Sequence, residues 1–138
     1  MSDSLLNPHS ALVYLMVIMS AADTDMTDSE LRRIGDITRT LPIFEGFDEE
    51  ELVPAAEECA GLLAKPDGLE RVLTIIVASL PAKLAATAYL IACEIAAADH
   101  RFGSEEIAML RLIRNRLDVD KLTAAAVERA VMARNQRL

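Results

Sequence analysis

The sequence predicts an all-α fold of about seven helices in one compact domain. Three observations carry that expectation. First, 52% of residues are hydrophobic, yet only 4% are aromatic, and Gly and Pro number five each, so the core must be built from Ala, Leu, Ile, Val and Met rather than from loop-rich β-structure. Second, apolar residues recur at helical spacing, as in Leu31, Ile34 and Ile37 and again in Ile107, Leu110, Ile113 and Leu117. Third, the chain repeats itself. The stretch from Ala22 to Glu30 recurs as Ala98 to Glu106, an offset of 99 − 23 = 76 residues, which also pairs Met26 with Phe102 and Leu31 with Ile107. Two helix–acidic loop–helix units therefore flank a helical insert.

The elements follow in order. Residues 1–9 read as a flexible arm, and residues 10–138 as the domain. Ser10 is placed to cap a first helix running from Ala11 to about Ala22, apolar on every face and so surrounded by other helices. Thr27-Asp28-Ser29-Glu30 is a capping-box sequence that opens the second helix, and Leu41-Pro42 ends it. Ile43, Phe44 and Phe47 are expected to dock on the core. Asp48 can cap a third helix whose first turn carries three glutamates, and Pro54 should kink or split it near Val53. Pro66-Asp67-Gly68 is a turn. A fourth helix follows from about Leu69 to Ser79, and Pro81 restarts the chain into a fifth that reaches Ala98. Gly103 or Ser104 opens the sixth, with Ile107 at the head of its inward stripe. Asp118-Val119-Asp120 breaks it and caps a seventh helix, about Lys121 to Asn135, presenting Leu122, Ala126, Val127, Ala130 and Val131.

Charge and cysteine usage narrow the function classes. Net charge is −8, but residues 1–100 hold 6 basic and 17 acidic side chains (−11) and residues 101–138 hold 8 and 5 (+3). A nucleic-acid partner is not expected, because phosphate neutralisation needs a concentrated basic face. The basic C-terminal part suits an acidic partner or a second copy of the chain, giving a homodimer. Cys59 and Cys93 sit in apolar helical patterns and read as buried, reduced thiols, which points to a cytoplasmic setting. The apolar run Ala11–Ala22 is too short to cross a bilayer, and the longer run at 84–98 carries Glu94.

Chemistry is concentrated in the doubled acidic loop. Asp23 and Glu30 in the first copy correspond to Asp99 and Glu106 in the second, with Asp25, Asp28 and Glu94 as weaker candidates. Carboxylates brought together repel and call for a counter-ion, and hard oxygen ligands favour Ca²⁺, Mg²⁺ or Mn²⁺. The loop is no EF-hand. With Asp23 first and Asp25 third, the glycine position falls on Asp28 and the bidentate glutamate position on Ile34. A second interpretation stands beside the metal site: Glu30 and Glu106 as capping residues, with Asp28 and Glu105 only complementing helix dipoles. Glu94 either reaches the site or pairs with an arginine such as Arg111 or Arg114. His9 and His100 lie far apart, and the glycines are too scattered for a phosphate loop, so no nucleophilic or nucleotide-binding arrangement is expected.

Ala-Asp followed by a short turn, an apolar residue and a helix-opening Glu resembles the pattern of TerB-like tellurite-resistance domains, related to the N-terminal region of the co-chaperone DjlA. The resemblance spans about residues 10–135. It implies an all-helical domain with clustered acidic residues for divalent metal, at Asp23, Glu30, Asp99 and Glu106. It also implies a stress-response role, protein partners in membrane-associated complexes, and no catalytic activity. The chain departs from the pattern where Thr24 and His100 replace a common glycine, and Arg101 adds positive charge to the second loop. The expected function is thus a non-catalytic, cation-binding interaction module. The alternatives are a helical adaptor without metal and a carboxylate-metal hydrolase, which would need a concave site with an open coordination position.

Overall fold

The first helix is built from a run in which every residue from Ala11 to Met19 is buried, so it can sit only at the centre of the molecule. The structure is a computed structural model and describes residues 5–20, 27–98 and 103–138. Among these residues there are seven α-helices and no strand: α1 (Pro8–Ser20), α2 (Asp28–Thr40), α3 (Leu52–Leu63), α4 (Gly68–Ser79), α5 (Ala85–Ala98), α6 (Ser104–Arg116) and α7 (Lys121–Arg134).

Helix α1 packs against α2, α3, α4 and α5, and α5 packs in turn against α6 and α7. Two core helices thus lie side by side, each serving one flank of the molecule. Helix α5 reaches burial like that of α1 through small residues: Ala88, Ala92, Ala96 and Ala97 are all 3% exposed or less. Side chains of that size let neighbouring backbones approach closely, which is how a protein with three phenylalanines and no tryptophan fills its centre.

Helix α1 begins earlier than its expected start. Asn7, not Ser10, supplies the cap: its Oδ1 accepts from the Ser10 N–H at 2.8 Å, with Pro8 in the first helical position, where its missing N–H costs nothing. The end of the expected arm is tied down as well. The Leu6 N–H donates to Ser79 Oγ at 2.9 Å, and His9 Nε2–H donates to the Ile43 carbonyl at 2.8 Å. The His9 ring stacks on Phe44 and meets Phe47 edge-on, both at 5.5 Å. The connector after α2 is therefore docked, with Phe44 buried and Ile43 and Phe47 half-buried.

The break expected near Val53 takes the form of a split, with a 3-10 turn giving way to α-helix at Leu52. Asp48 accepts from the Glu50 N–H at 2.9 Å and opens a 3-10 turn over Glu49–Glu51, and α3 proper starts only at Leu52. The proline then falls within the first turn of α3, where the backbone N–H has no intrahelical partner to lose. Helix α6 ends in a Schellman turn: the Val119 N–H reaches the Arg114 carbonyl, the Asp118 N–H reaches that of Asn115, and Asp118 takes φ +56°. Asp120 then caps α7 through the Thr123 N–H at 2.8 Å.

Two expected inward stripes are corrected. Ile107 is 44% exposed, and the buried side of α6 is Leu110 and Ile113. On α7, Leu122 is 82% exposed and Ala126 and Ala130 face outward, whereas Ala124 and Val131 are buried with Val127 partly so. The physical reason lies in polar groups: Glu128 and Asn135 share the inward face of α7 because each bonds to α5.

Candidate functional site

The capping box predicted at the start of α2 is formed. The Glu30 N–H donates to Thr27 Oγ1 at 3.2 Å, and Glu30 Oε1 accepts from the Thr27 N–H at 2.8 Å and from Thr27 Oγ1 at 3.0 Å. These carboxylate bonds fall on one oxygen. Its counterpart behaves alike without a hydroxyl partner: a Cβ added to Gly103, the residue capping α6, would lie 2.8 Å from Glu106 Oε2. Both glutamates therefore fold back over the start of their own helix. Asp28 is the exposed first residue of α2. Asp23, Asp25 and Asp99 lie outside the described residues. Among the described residues, no group of three or more His, Cys, Asp or Glu side chains is gathered as a metal cluster would be.

Glu94 has a different partner from the arginines expected for it. Its carboxylate, 15% exposed, accepts from Arg134 Nε at 2.7 Å and from Asn135 Nδ2 at 2.9 Å. Helix α7, not α6, covers that side of α5, so Glu94 holds the last turn of α7 in place. Arg111 and Arg114 form no ion pair among the described residues.

A hollow of about 340 Å³ is lined by Arg33 from α2, Ala98 at the end of α5, and Arg134, Asn135, Gln136 and Arg137 beyond and within the last turn of α7. Arg33 lies in the second turn of α2, and Ala98 directly precedes Asp99. The places where the two acidic loops join α2 and α5 are thus at the same end of the molecule. Three arginines stand there with them.

Two polar pairs were not read from the sequence. Tyr14 on α1 donates its hydroxyl to Glu58 Oε1 on α3 at 2.6 Å, and Tyr89 on α5 donates to Glu128 Oε2 on α7 at 2.5 Å. Each ring is buried, and each phenol is held above its ordinary pKa, first by desolvation and then by the glutamate it bonds. A signal was present: these are the chain's only two tyrosines, one in each apolar helix. A buried phenol needs an acceptor. Beside them, burial pushes the thiols of Cys59 and Cys93 up to about 12, so both are neutral and inert at neutral pH.

Among the described residues, no single helix is long and apolar enough to cross a membrane. In comparisons with known proteins, no curated protein and no solved structure matches the chain. The family described as tellurite resistance protein TerB matches residues 9–129, from the second residue of α1 into α7. With the doubled loop, the two central apolar helices and this match over most of its length, the chain belongs to the TerB family of tellurite-resistance proteins.

Proposed function

We propose that this protein is a non-catalytic interaction module of the tellurite-resistance type, in which the paired acidic loops hold a divalent cation and an exposed surface docks a partner protein. Asp23 and Glu30 are the principal ligands, with Asp99 and Glu106 completing the set and Ca²⁺, Mg²⁺ or Mn²⁺ as the cation. The supporting observation is the shared hollow of Arg33 and Ala98, which brings the start of α2 and the end of α5 to one end of the bundle. The hard oxygen donors of the two loop sequences suit a hard cation.

The adaptor without metal is favoured by a specific observation of its own: Glu30 already serves its helix as a cap. The two readings separate on Glu30→Gln. Glutamine still closes a capping box, so the helix start survives, but the ligand charge is gone. Titration calorimetry of metal-stripped protein with each cation should give binding that Glu30→Gln and Asp99→Asn each weaken, with unfolding temperature unchanged in the absence of metal. Equal heats in wild type and both variants would return the carboxylates to capping alone.

A further inference from the structure

Arg111 and Arg114 lie on the same side of α6 as a groove that the proposed cation site does not use. A cavity of about 280 Å³ lies between α5, α6 and α7, open along one side. Its floor is Tyr89, Cys93, Leu110 and Val131, each 8% exposed or less. Its lips are Ile107 and Met132, which are 44% and 57% exposed and carry the apolar surface outward. Arg111 and Arg114 line it as well. The acidic group in the groove is Glu128, and its Oε2 is already bonded to Tyr89.

We infer that this groove docks an acidic amphipathic helix of a partner protein, with apolar side chains seated between Ile107 and Met132 and carboxylates on Arg111 and Arg114. Charge selects the occupant. Arg39 is neutralised within the fold by Asp36 and Glu49, Arg116 by Glu70 and Arg134 by Glu94, whereas Arg32, Arg129 and Arg137 form no bridge among the described residues but do not line this groove. The pair at the groove forms no such bridge among the described residues. The first hundred residues carry −11 and the rest +3, so an acidic partner is repelled from most of the molecule and directed to this side. Size selects it too. Pockets that bury small ligands hold about 300–1,000 Å³ and enclose most of the ligand. This one is at the lower edge and open, the form of a groove that accepts side chains at spacings of three and four from a helix lying across it.

The inference names the docking surface of the proposed interaction module, and its test is independent of the cation. Two fluorescein-labelled synthetic 16-residue helices are titrated into metal-stripped full-length protein and followed by anisotropy. Both carry leucines at spacings of three and four on one face; one has glutamates on its flanks and the other lysines. The glutamate peptide should bind at least about tenfold more tightly than the lysine peptide. It should shift the methyl resonances of Ile107 and Met132. Arg111→Glu with Arg114→Glu should abolish the preference, and Lys121→Glu, outside the groove, should retain it. Equal binding of the two peptides, or no binding of the glutamate peptide, would overturn the inference. So would a concentration-dependent dimer that shifts the same methyls, which makes a second copy the occupant, or decanoate binding there in place of either peptide. Since metal is absent throughout, failure here leaves the cation site standing, and failure of the cation site leaves this result intact.

Discussion

Tyr14 and Tyr89 carry the polar chemistry of an otherwise apolar centre, and the two ends of each bond stand in different surroundings. The hydroxyls belong to residues 1% and 2% exposed, whereas Glu58 is exposed and Glu128 half-buried. Removing the acceptor therefore costs more than removing the donor, because a buried hydroxyl left without a partner carries its full desolvation penalty. Glu128→Ala should destabilise the fold by about 1–3 kcal/mol, and Tyr89→Phe by about 1 kcal/mol, read by urea unfolding. Equal losses in both would contradict this asymmetry. The thiols give a pH prediction with a definite sign. Cys59 and Cys93 rise from 9.0 to about 12 on folding, so between those values the unfolded chain releases protons that the folded chain retains. The contribution of these thiols should be full below pH 9 and be lost steadily as pH rises toward 12, with the raised phenols acting in the same direction. Alkylation of native protein by iodoacetamide at pH 8 should be negligible and become rapid in denaturant.

At the scale of elements, the starts of α2 and α7 were legible in the short polar side chains that precede them. Thr27 and Asp120 cap as their sequences indicate, while Asp48 caps the 3-10 turn ahead of α3 rather than α3 itself. Thr27→Ala should lower stability by about 1 kcal/mol. The start of α1 was misjudged because Asn7-Pro8 and Ser10 are rival signals, and only the docking of His9 on Phe44 and Phe47 explains why the earlier one prevails. Two glycines show what the sequence alone could not separate. Gly35 reads as a helix weakness, and the nearest atoms a Cβ there would meet belong to the Arg39 guanidinium, at 3.2 Å, the far end of a flexible side chain, so Gly35→Ala should gain up to about 1 kcal/mol. Gly68 reads as an ordinary turn residue, yet a Cβ there would lie 2.4 Å from the Leu62 carbonyl oxygen and 2.6 Å from that of Leu63. Backbone cannot yield as a side chain does, and Gly68→Ala should cost at least about 2 kcal/mol. Thermal unfolding of the two variants should shift in opposite directions.

For the whole molecule, the all-α fold, the seven helices and the TerB family were legible because periodicity and the 76-residue repeat are properties of sequence. Which face of α7 turns inward was not. Apolar count favoured Leu122 and Ala130, but the inward face is fixed by Glu128 on Tyr89 and Asn135 on Glu94, partners 39 and 41 residues away. The groove escaped notice for the same reason, since Ile107 was assigned to the core and Arg111 and Arg114 to Glu94. The acidic loops stand at the opposite extreme: their residues were singled out from sequence, and Asp23, Asp25 and Asp99 lie outside the described residues. The measurement that bears most directly on a cation-holding module is thermal unfolding of metal-stripped protein, titrated separately with Ca²⁺, Mg²⁺ and Mn²⁺. A site filled at about 100 times its dissociation constant adds about 2.7 kcal/mol, which for a domain of this size raises the midpoint by about 5–10 °C. The account predicts such a saturating rise with one of these cations and its loss in Asp23→Asn; an unchanged midpoint with all three, or a rise that Asp23→Asn retains, would contradict it.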